Sequence, residues 1–315
     1  MQSILVTGAT GFVGSHLLPT LQQHNFSLKI TTRRKRSKNL PEAVTVVKIA
    51  DMDEKTDWSE ALAGVDCVIH LAARAHILQD TVANPEEAFY QTNTAATANL
   101  VQGAIAQGVK HFIYISSVGA MATTRNEILT ESSPCEPDTP YGQSKLNAEV
   151  ALKERCADSN LTWTILRPPL LYGARNPGNM ARLLELVNTG IPLPFGAVNN
   201  RRSFLYVGNL VDAITTCISH PKARNETFLV SDGEVVSTPH FISEIGQAMG
   251  KSPFLMPIPV PILKLSGKFS GQTETVQRLL GSLELDSTKI RTLLDWKPPF
   301  SLKEGLQKTV TWYFH

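Results

Sequence analysis

The first fourteen residues constrain the fold more than any other part of the chain. A short apolar run, Ile4-Leu5-Val6-Thr7, passes directly into Gly8, Gly11 and Gly14, and helix-compatible residues follow to His24. Gly8 and Gly11 let the backbone turn tightly and approach a pyrophosphate, and Gly14 allows a helix to lie close on a sheet. The helix start adds N–H donors and the positive end of a dipole. In isolation such a run is often a turn that binds nothing. Its place in the first strand–helix unit favours a dinucleotide site, with Thr10, Phe12 and Val13 completing the cradle.

The same alternation continues downstream. Apolar runs at 28–32, 44–49, 67–71, 112–115 and 162–166 alternate with helical stretches near 86–107 and 141–157. Nearly continuous apolar strands in this order predict an α/β protein with a Rossmann-like doubly wound parallel sheet. After Arg167-Pro168-Pro169, proline and glycine become frequent, which predicts a smaller irregular α/β C-terminal lobe. The expected division is a nucleotide-binding domain at 1–170, with returns near 203–232, and a mainly substrate-binding lobe at 171–315. Ser237-Thr238-Pro239 reads as an N-cap with proline in the first turn, starting a helix to Met249. Pro257 to Pro261 forms a breaker before the apolar stretch 262–269. That stretch suits a lobe helix, a dimer surface or a membrane-facing patch, with ordinary core or interface favoured.

Composition narrows the class. The 315 residues are 42% hydrophobic and 18% charged, with no apolar run long enough to span a bilayer and no secretory signal at the start. A soluble, cytoplasmic protein is expected. Cys67, Cys135, Cys156 and Cys217 are widely spaced, which favours free thiols over a zinc or disulfide framework. The net charge of +2 and the single short basic run from Arg33 to Arg36 give no footprint for nucleic acid.

That basic run bears instead on the cofactor. An acidic residue at the end of the second strand would bind a ribose 2′-hydroxyl, whereas an arginine would accept a 2′-phosphate. The chain has Arg33 and Arg34 there and no carboxylate, so NADP(H) is expected, with NAD as the alternative. An exposed strand end without a ligand is the other reading of the two arginines.

Tyr141 and Lys145, spaced i and i+4, share one helix face, and Asn147, Ala148 and Glu149 continue that helix. A neighbouring ammonium favours a phenolate, bringing a poor acid–base group closer to use at neutral pH. Such spacing alone is frequent on surface helices. Here it follows Ser116 and Ser117, whose hydroxyls end an apolar strand at the edge where open α/β sheets bind ligands.

The glycine motif, the strand-end serines and the Tyr-x-x-x-Lys helix together resemble the extended short-chain dehydrogenase/reductase family. The resemblance implies Tyr141 as general acid/base, Lys145 as the group that lowers its pKa and holds the nicotinamide ribose, and Ser117 as the hydroxyl binding the reacting oxygen. Val118-Gly119-Ala120-Met121 departs from the family's usual Val-Tyr-Gly-like segment, which leaves Ser116 as the other candidate hydroxyl. It further implies that Asp51 and Met52 lie by the adenine, that Leu71, Ala72, Ala73 and Pro168 run along the cofactor, and that Asn93 supports the site. Asn179, Arg202 and Arg278 resemble the residues that hold the diphosphate of a nucleotide sugar. Within the family, the segments 71–76, 167–173 and 228–233 resemble bacterial surface-polysaccharide enzymes that reduce the C4 ketone of UDP-2-acetamido-2,6-dideoxy-4-keto-hexoses with NADPH. The alternative is a UDP-sugar 4-epimerase with tightly bound NAD. A dehydratase fits less well, because Val118-Gly119 offers no carboxylate. A non-catalytic NADP-binding regulator fits less well still, because the Ser, Tyr and Lys are all present. A homodimer through the helices near 86–107 and 141–157 is also implied.

Overall fold

The computed structural model describes residues 1–33, 44–75, 84–176, 179–269 and 273–315. In chain order the elements are β1 (Ser3–Thr7), α1 (Phe12–Gln23), β2 (Ser27–Thr32), β3 (Thr45–Lys48), α2 (Ser59–Leu62), β4 (Cys67–His70) and α3 (Pro85–Phe89). A π-helical turn (Tyr90–Ala95), α4 (Ala96–Ala106), β5 (His111–Ile115), a 3-10 turn (Val118–Ala120), α5 (Pro140–Cys156), β6 (Thr162–Arg167) and β7 (Leu170–Tyr172) follow. Then come α6 (Asn179–Thr189), β8 (Arg202–Tyr206), α7 (Val207–Ser219), β9 (Glu226–Leu229), β10 (Val235–Val236) and α8 (Thr238–Ala248). The chain ends in α9 (Val260–Phe269), α10 (Thr273–Leu280), α11 (Thr288–Leu294) and α12 (Leu302–Phe314).

Seven strands form one sheet in the order β3-β2-β1-β4-β5-β6-β9, and every pairing in it is parallel. Alternate side chains enter opposite layers, as the strand period requires. Ile4 and Val6 of β1 face the layer built with α1 and α7, while Leu5 faces the layer built with α2, α4 and α5. Helices on both faces explain why β4 and β5 are buried along their whole length. The Rossmann-like doubly wound fold is therefore present. Its order reverses between β1 and β4, where Thr7 lies opposite His70, and that switch point opens the ligand crevice at the strands' carboxyl ends.

A second sheet, β10-β8-β7, anchors the C-terminal lobe. Tyr172, Phe204, Tyr206 and Phe241 form its core with α6, α8 and α12, the rings of Phe204 and Phe241 stacking at 4.0 Å. Segment 203–206 thus belongs to the small sheet, whereas α7 and β9 carry the chain back onto the large one. Ser237 caps α8 as its sequence suggests, accepting from the His240 N–H. Helix α9 takes Pro261 into its first turn, where a missing N–H leaves nothing unpaired. Among the described residues no helix is long and apolar enough to cross a membrane.

The helical stretch near 86–107 departs from the expected continuous helix. It is broken into α3, the π turn and α4. The widened turn carries Asn93, whose side chain bonds outward to the Arg74 backbone and to Ser144 rather than lying along a regular helix.

Candidate active site

The glycine-rich turn meets the strand beside it at backbone contact. Gly8 has φ of 70°, and a Cβ there would lie 2.6 Å from the Ala72 N. Gly14 also admits no side chain, since a Cβ would sit 2.5 Å from the Ala9 O and push α1 away from the turn. Gly11 caps α1 without a side-chain acceptor, and the first turn holds no acidic residue. The N–H groups of that turn are left for an anion, so this cradle fits a pyrophosphate. Thr10 and Gly11 are exposed at its mouth, with Phe12 and Val13 half-buried behind them.

The wall along the crevice is fixed by a buried relay. His70 sits between Thr7 Oγ1, 2.6 Å from Nδ1, and Thr97 Oγ1, 2.9 Å from Nε2. Thr97 donates its own proton to the Asn93 O, so it accepts from Nε2–H, and Thr7 donates to Nδ1. The imidazole is therefore neutral, and burial pulls its pKa down to about 3, with the Lys145 charge adding to the effect. Leu71, Ala72 and Ala73 leave this strand half-buried along the crevice. Asn93 accepts from the Arg74 N–H at 2.7 Å and donates to the Arg74 O at 3.0 Å, which pins the end of the same segment.

Tyr141 reaches the crevice because of how α5 starts. Thr139 caps the helix by accepting from the Gly142 N–H at 3.1 Å, and Pro140 follows in the first turn. Gly142 permits contact with the 3-10 turn, since a Cβ there would lie 2.1 Å from the Gly119 O. This approach brings the Tyr141 phenol onto the Ser117 hydroxyl, which hydrogen-bonds it. Ser117 Oγ accepts from the Gly119 N–H at 3.0 Å, which fixes the hydroxyl at the start of the 3-10 turn. Burial pushes the Tyr141 phenol up to about 12, and the bond from Ser117 pulls the other way. The Phe89 ring lies edge-on to Tyr141 at 6.0 Å, and the Arg74 guanidinium lies 5.6 Å over Phe89.

Lys145 is 2% exposed. Its Nζ donates to the Ile115 O at 2.7 Å and lies 4.3 Å over the Tyr114 ring. Burial pulls it down to about 7, and the Glu149 carboxylate acts in the opposite direction. The two candidate serines separate cleanly. Ser116 is buried and donates to Glu149 Oε1, whereas Ser117 is the one facing Tyr141. Pro168 is buried opposite, and its carbonyl accepts from the Val118 N–H at 2.9 Å.

The remaining expected residues lie farther out. Arg33 is exposed at the end of β2 and pairs with Asp51 across 3.2 Å; Met52 beside it packs against the core layer of α2 and α4. Arg34 lies outside the described residues. Asn179 begins α6. Arg202 is buried, and its Nη1 donates to the carbonyls of Arg278 and Gly281 at the end of α10. Burial, and then the Arg278 charge, pull it down to about 10. The Arg278 side chain is exposed. Sequence reasoning missed the supporting groups: Thr7, Thr97, Ser144, Glu149 and Arg167. Only Glu149, one helical turn beyond Lys145, left a readable spacing signal.

The profile of the NAD dependent epimerase/dehydratase family matches residues 4–231, from β1 through the cradle, Ser117, Tyr141 and Lys145 to the end of the large sheet. The chain belongs to this family. It is 40% identical over 313 residues to a UDP-glucose 4-epimerase from Vibrio cholerae, covering 98% of this chain and 94% of that protein. It is 29% identical to the N-acetyl-α-D-glucosaminyl-diphospho-ditrans,octacis-undecaprenol 4-epimerase of Escherichia coli O157:H7, covering 99% and 95%. The UDP-glucose 4-epimerase of Thermotoga maritima, solved with UDP-glucose, matches at 26% identity with a TM-score of 0.80, covering 99% of each chain.

Proposed function

We propose that this family member is a nicotinamide-dependent 4-epimerase of sugars linked through a diphosphate, with UDP-sugars as its first substrates. The observation that carries the reading is the placement of Ser117, Tyr141 and Lys145 together at the switch-point crevice, in a chain 40% identical to a UDP-glucose 4-epimerase along nearly its whole length. Reduction of a 4-keto sugar uses the same residues, and in the sequence it is favoured by Arg33 and by the resemblance of segments 71–76, 167–173 and 228–233. The named relatives shift the balance to epimerisation.

In this reading residues 1–170 hold the dinucleotide, with Gly8 through Gly14 on the pyrophosphate, Arg33, Arg34, Asp51 and Met52 at the adenosine end, and Leu71, Ala72, Ala73, Asn93 and Pro168 along its length. A bound nicotinamide supplies the acceptance and return of hydride at the sugar C4. Tyr141 takes the proton of the C4 hydroxyl as the ketone forms and gives it back afterwards. Ser117 holds the reacting oxygen, and Lys145 binds the ribose while its charge favours the phenolate. The lobe, 171–315, holds the diphosphate through Asn179, Arg202 and Arg278. Between the two transfers the sugar must present its other face, so the lobe grips the diphosphate rather than the ring. A homodimer through α4 and α5 completes the proposal.

A second reading, NADPH-dependent reduction of a 4-keto sugar, is favoured by Arg33 at the end of β2, where a cationic side chain suits a 2′-phosphate. Denaturing the purified protein and identifying released nucleotide separates the two. Stoichiometric NAD, with interconversion of UDP-glucose and UDP-galactose, supports the epimerase. Little bound nucleotide and a marked preference for NADPH in titration overturn it in favour of the reductase.

A further inference from the structure

Behind the Tyr141–Lys145 pair lies a buried ionic cluster that the proposed chemistry does not use. Glu149 is 1% exposed and Arg167 is 4% exposed. Arg167 Nε lies 3.0 and 3.2 Å from the two carboxylate oxygens, and its Nη2 donates to Oε2 at 2.5 Å. Ser116 donates to Oε1, so the carboxylate is held from the residue after β5 and from the last residue of β6. A buried ion pair seldom adds net stability over apolar packing, which makes its presence beside a reacting centre informative.

We infer that Glu149 is a positioning residue of the reaction: it supplies the compensating charge for the buried Lys145 ammonium and, through Ser116, fixes the strand end that presents both Ile115 O and Ser117. The groups around Lys145 show why a counter-charge is needed. Tyr141 shares its helix, Tyr114 of β5 offers a ring face, and His70 of β4 is neutral. Glu149 lies one turn beyond Lys145 on α5, with both side chains buried, and its carboxylate opposes the effect of burial on the ammonium. Arg167 lies beyond it on β6, where Nε and Nη2 of the guanidinium bond both carboxylate oxygens of Glu149. The backbone agrees with the second role. Ser116 N–H donates to Leu166 O at 2.8 Å, so the peptide between Lys145's acceptor and Tyr141's partner is tied on both sides.

The inference rests on reading Tyr141 as the acid–base group, and two readouts keep the ideas apart. The first is an NMR titration of ε-13C-lysine protein with its cofactor, with the Lys145 signal assigned by its loss in K145R. The second is the pH profile of kcat/KM. In E149Q the Lys145 midpoint is expected to fall by about one pH unit or more, and the alkaline limb of the profile with it. Because E149Q leaves Arg167 without its partner, E149L/R167M is made as well, replacing the pair by apolar groups of similar volume. Retention of the wild-type midpoint in E149D is expected, since the charge remains. S116A is expected to lower kcat several-fold with Lys145 titrating as before. A folded E149L/R167M whose Lys145 midpoint stays in place overturns the charge role, and an unchanged kcat in S116A overturns the positioning role. If no UDP-sugar reacts while the NMR midpoint shifts, the function proposed above fails and the coupling stands.

Discussion

The two sides of the crevice are built in different ways. On the sheet side, Asn93 makes three hydrogen bonds, Glu149 is held by Arg167 and Ser116, and His70 is clamped between two threonines, all of them buried. On the lobe side, Arg278 is exposed, Arg201 pairs with Glu284 near the surface, and Arg202 is held by carbonyls at a helix end. Groups that move protons need fixed geometry, and that geometry comes from side chains whose every polar atom is satisfied inside the layers. The groups proposed to grip a diphosphate are less uniform: Arg278 is exposed, while Arg202 is buried against the carbonyls at the end of α10.

The sharpest way to break this contrast is at Tyr141. Tyr141→Phe should lower kcat by roughly 10³-fold, since a positioned acid–base group contributes about 10²–10⁴. Cofactor affinity and thermal stability should barely change, because the ring still packs beside Phe89. Steady-state kinetics with a cofactor titration checks this, and turnover near wild type would remove Tyr141 from the chemistry.

The second test compares the two sides through acid. The folded pKa of His70, about 3, lies below its ordinary 6.5, so its contribution to stability is present above pH 6.5 and is lost as pH falls toward 3. Asp232 of the lobe accepts from Tyr172 OH, Tyr206 N–H and Asn209, and burial pushes it up to about 6 from 3.8. The folded state therefore binds more protons than the unfolded one between those values, and this group adds stability as pH falls from 6 toward 3.8. Melting curves between about pH 7 and pH 4.5 should show His70→Asn losing less stability on acidification than the wild type, by a few kcal/mol. Asp232→Asn should lose more. Parallel slopes for all three proteins would show that neither group sets the acid response.

What sequence made legible follows the same division. The large sheet, the cradle and Tyr141 with Lys145 were readable because period, glycine spacing and i,i+4 placement are local signals. The choice between Ser116 and Ser117 was not. It depends on Glu149, thirty-three residues away from Ser116 in the chain, claiming the first hydroxyl and leaving the second for Tyr141. The break in the helix near Asn93 was also hidden, because the bonds that accompany it run to Arg74, nineteen residues away in the chain. In the lobe, an arginine such as Arg202 can be picked by type, while its anchoring on the α10 carbonyls arises only from the fold.

That anchoring makes Arg202 a test of how far the lobe is adjustable. Arg202→Ala should raise KM for a UDP-sugar by about ten- to a hundredfold, the range for losing a charged hydrogen bond, with a smaller change in kcat. It should also lower stability by about 1–2 kcal/mol, since the carbonyls at the end of α10 lose their donor. Arg278→Ala, which keeps the backbone carbonyl that Arg202 bonds, should raise KM with a smaller stability change. Equal losses of stability in both variants would mean that the end of α10 does not depend on Arg202.

The smallest expected effect lies at the far end of the cofactor crevice, and it bears on which dinucleotide the site prefers. Arg33 and Asp51 are an exposed pair, so removing either should change stability by no more than about 0.5 kcal/mol. Their influence on binding should oppose one another. Arg33 is the group suited to a 2′-phosphate, and Asp51 beside it is suited to a 2′-hydroxyl and unfavourable to a phosphate. Arg33→Ala should therefore shift the NADPH-to-NADH affinity ratio toward NADH by about tenfold, and Asp51→Asn should shift it the other way. Calorimetric titration of both variants reads the ratio directly. A ratio that moves in neither variant would take cofactor choice away from this strand end, leaving it to the residues that follow Arg33 in the chain.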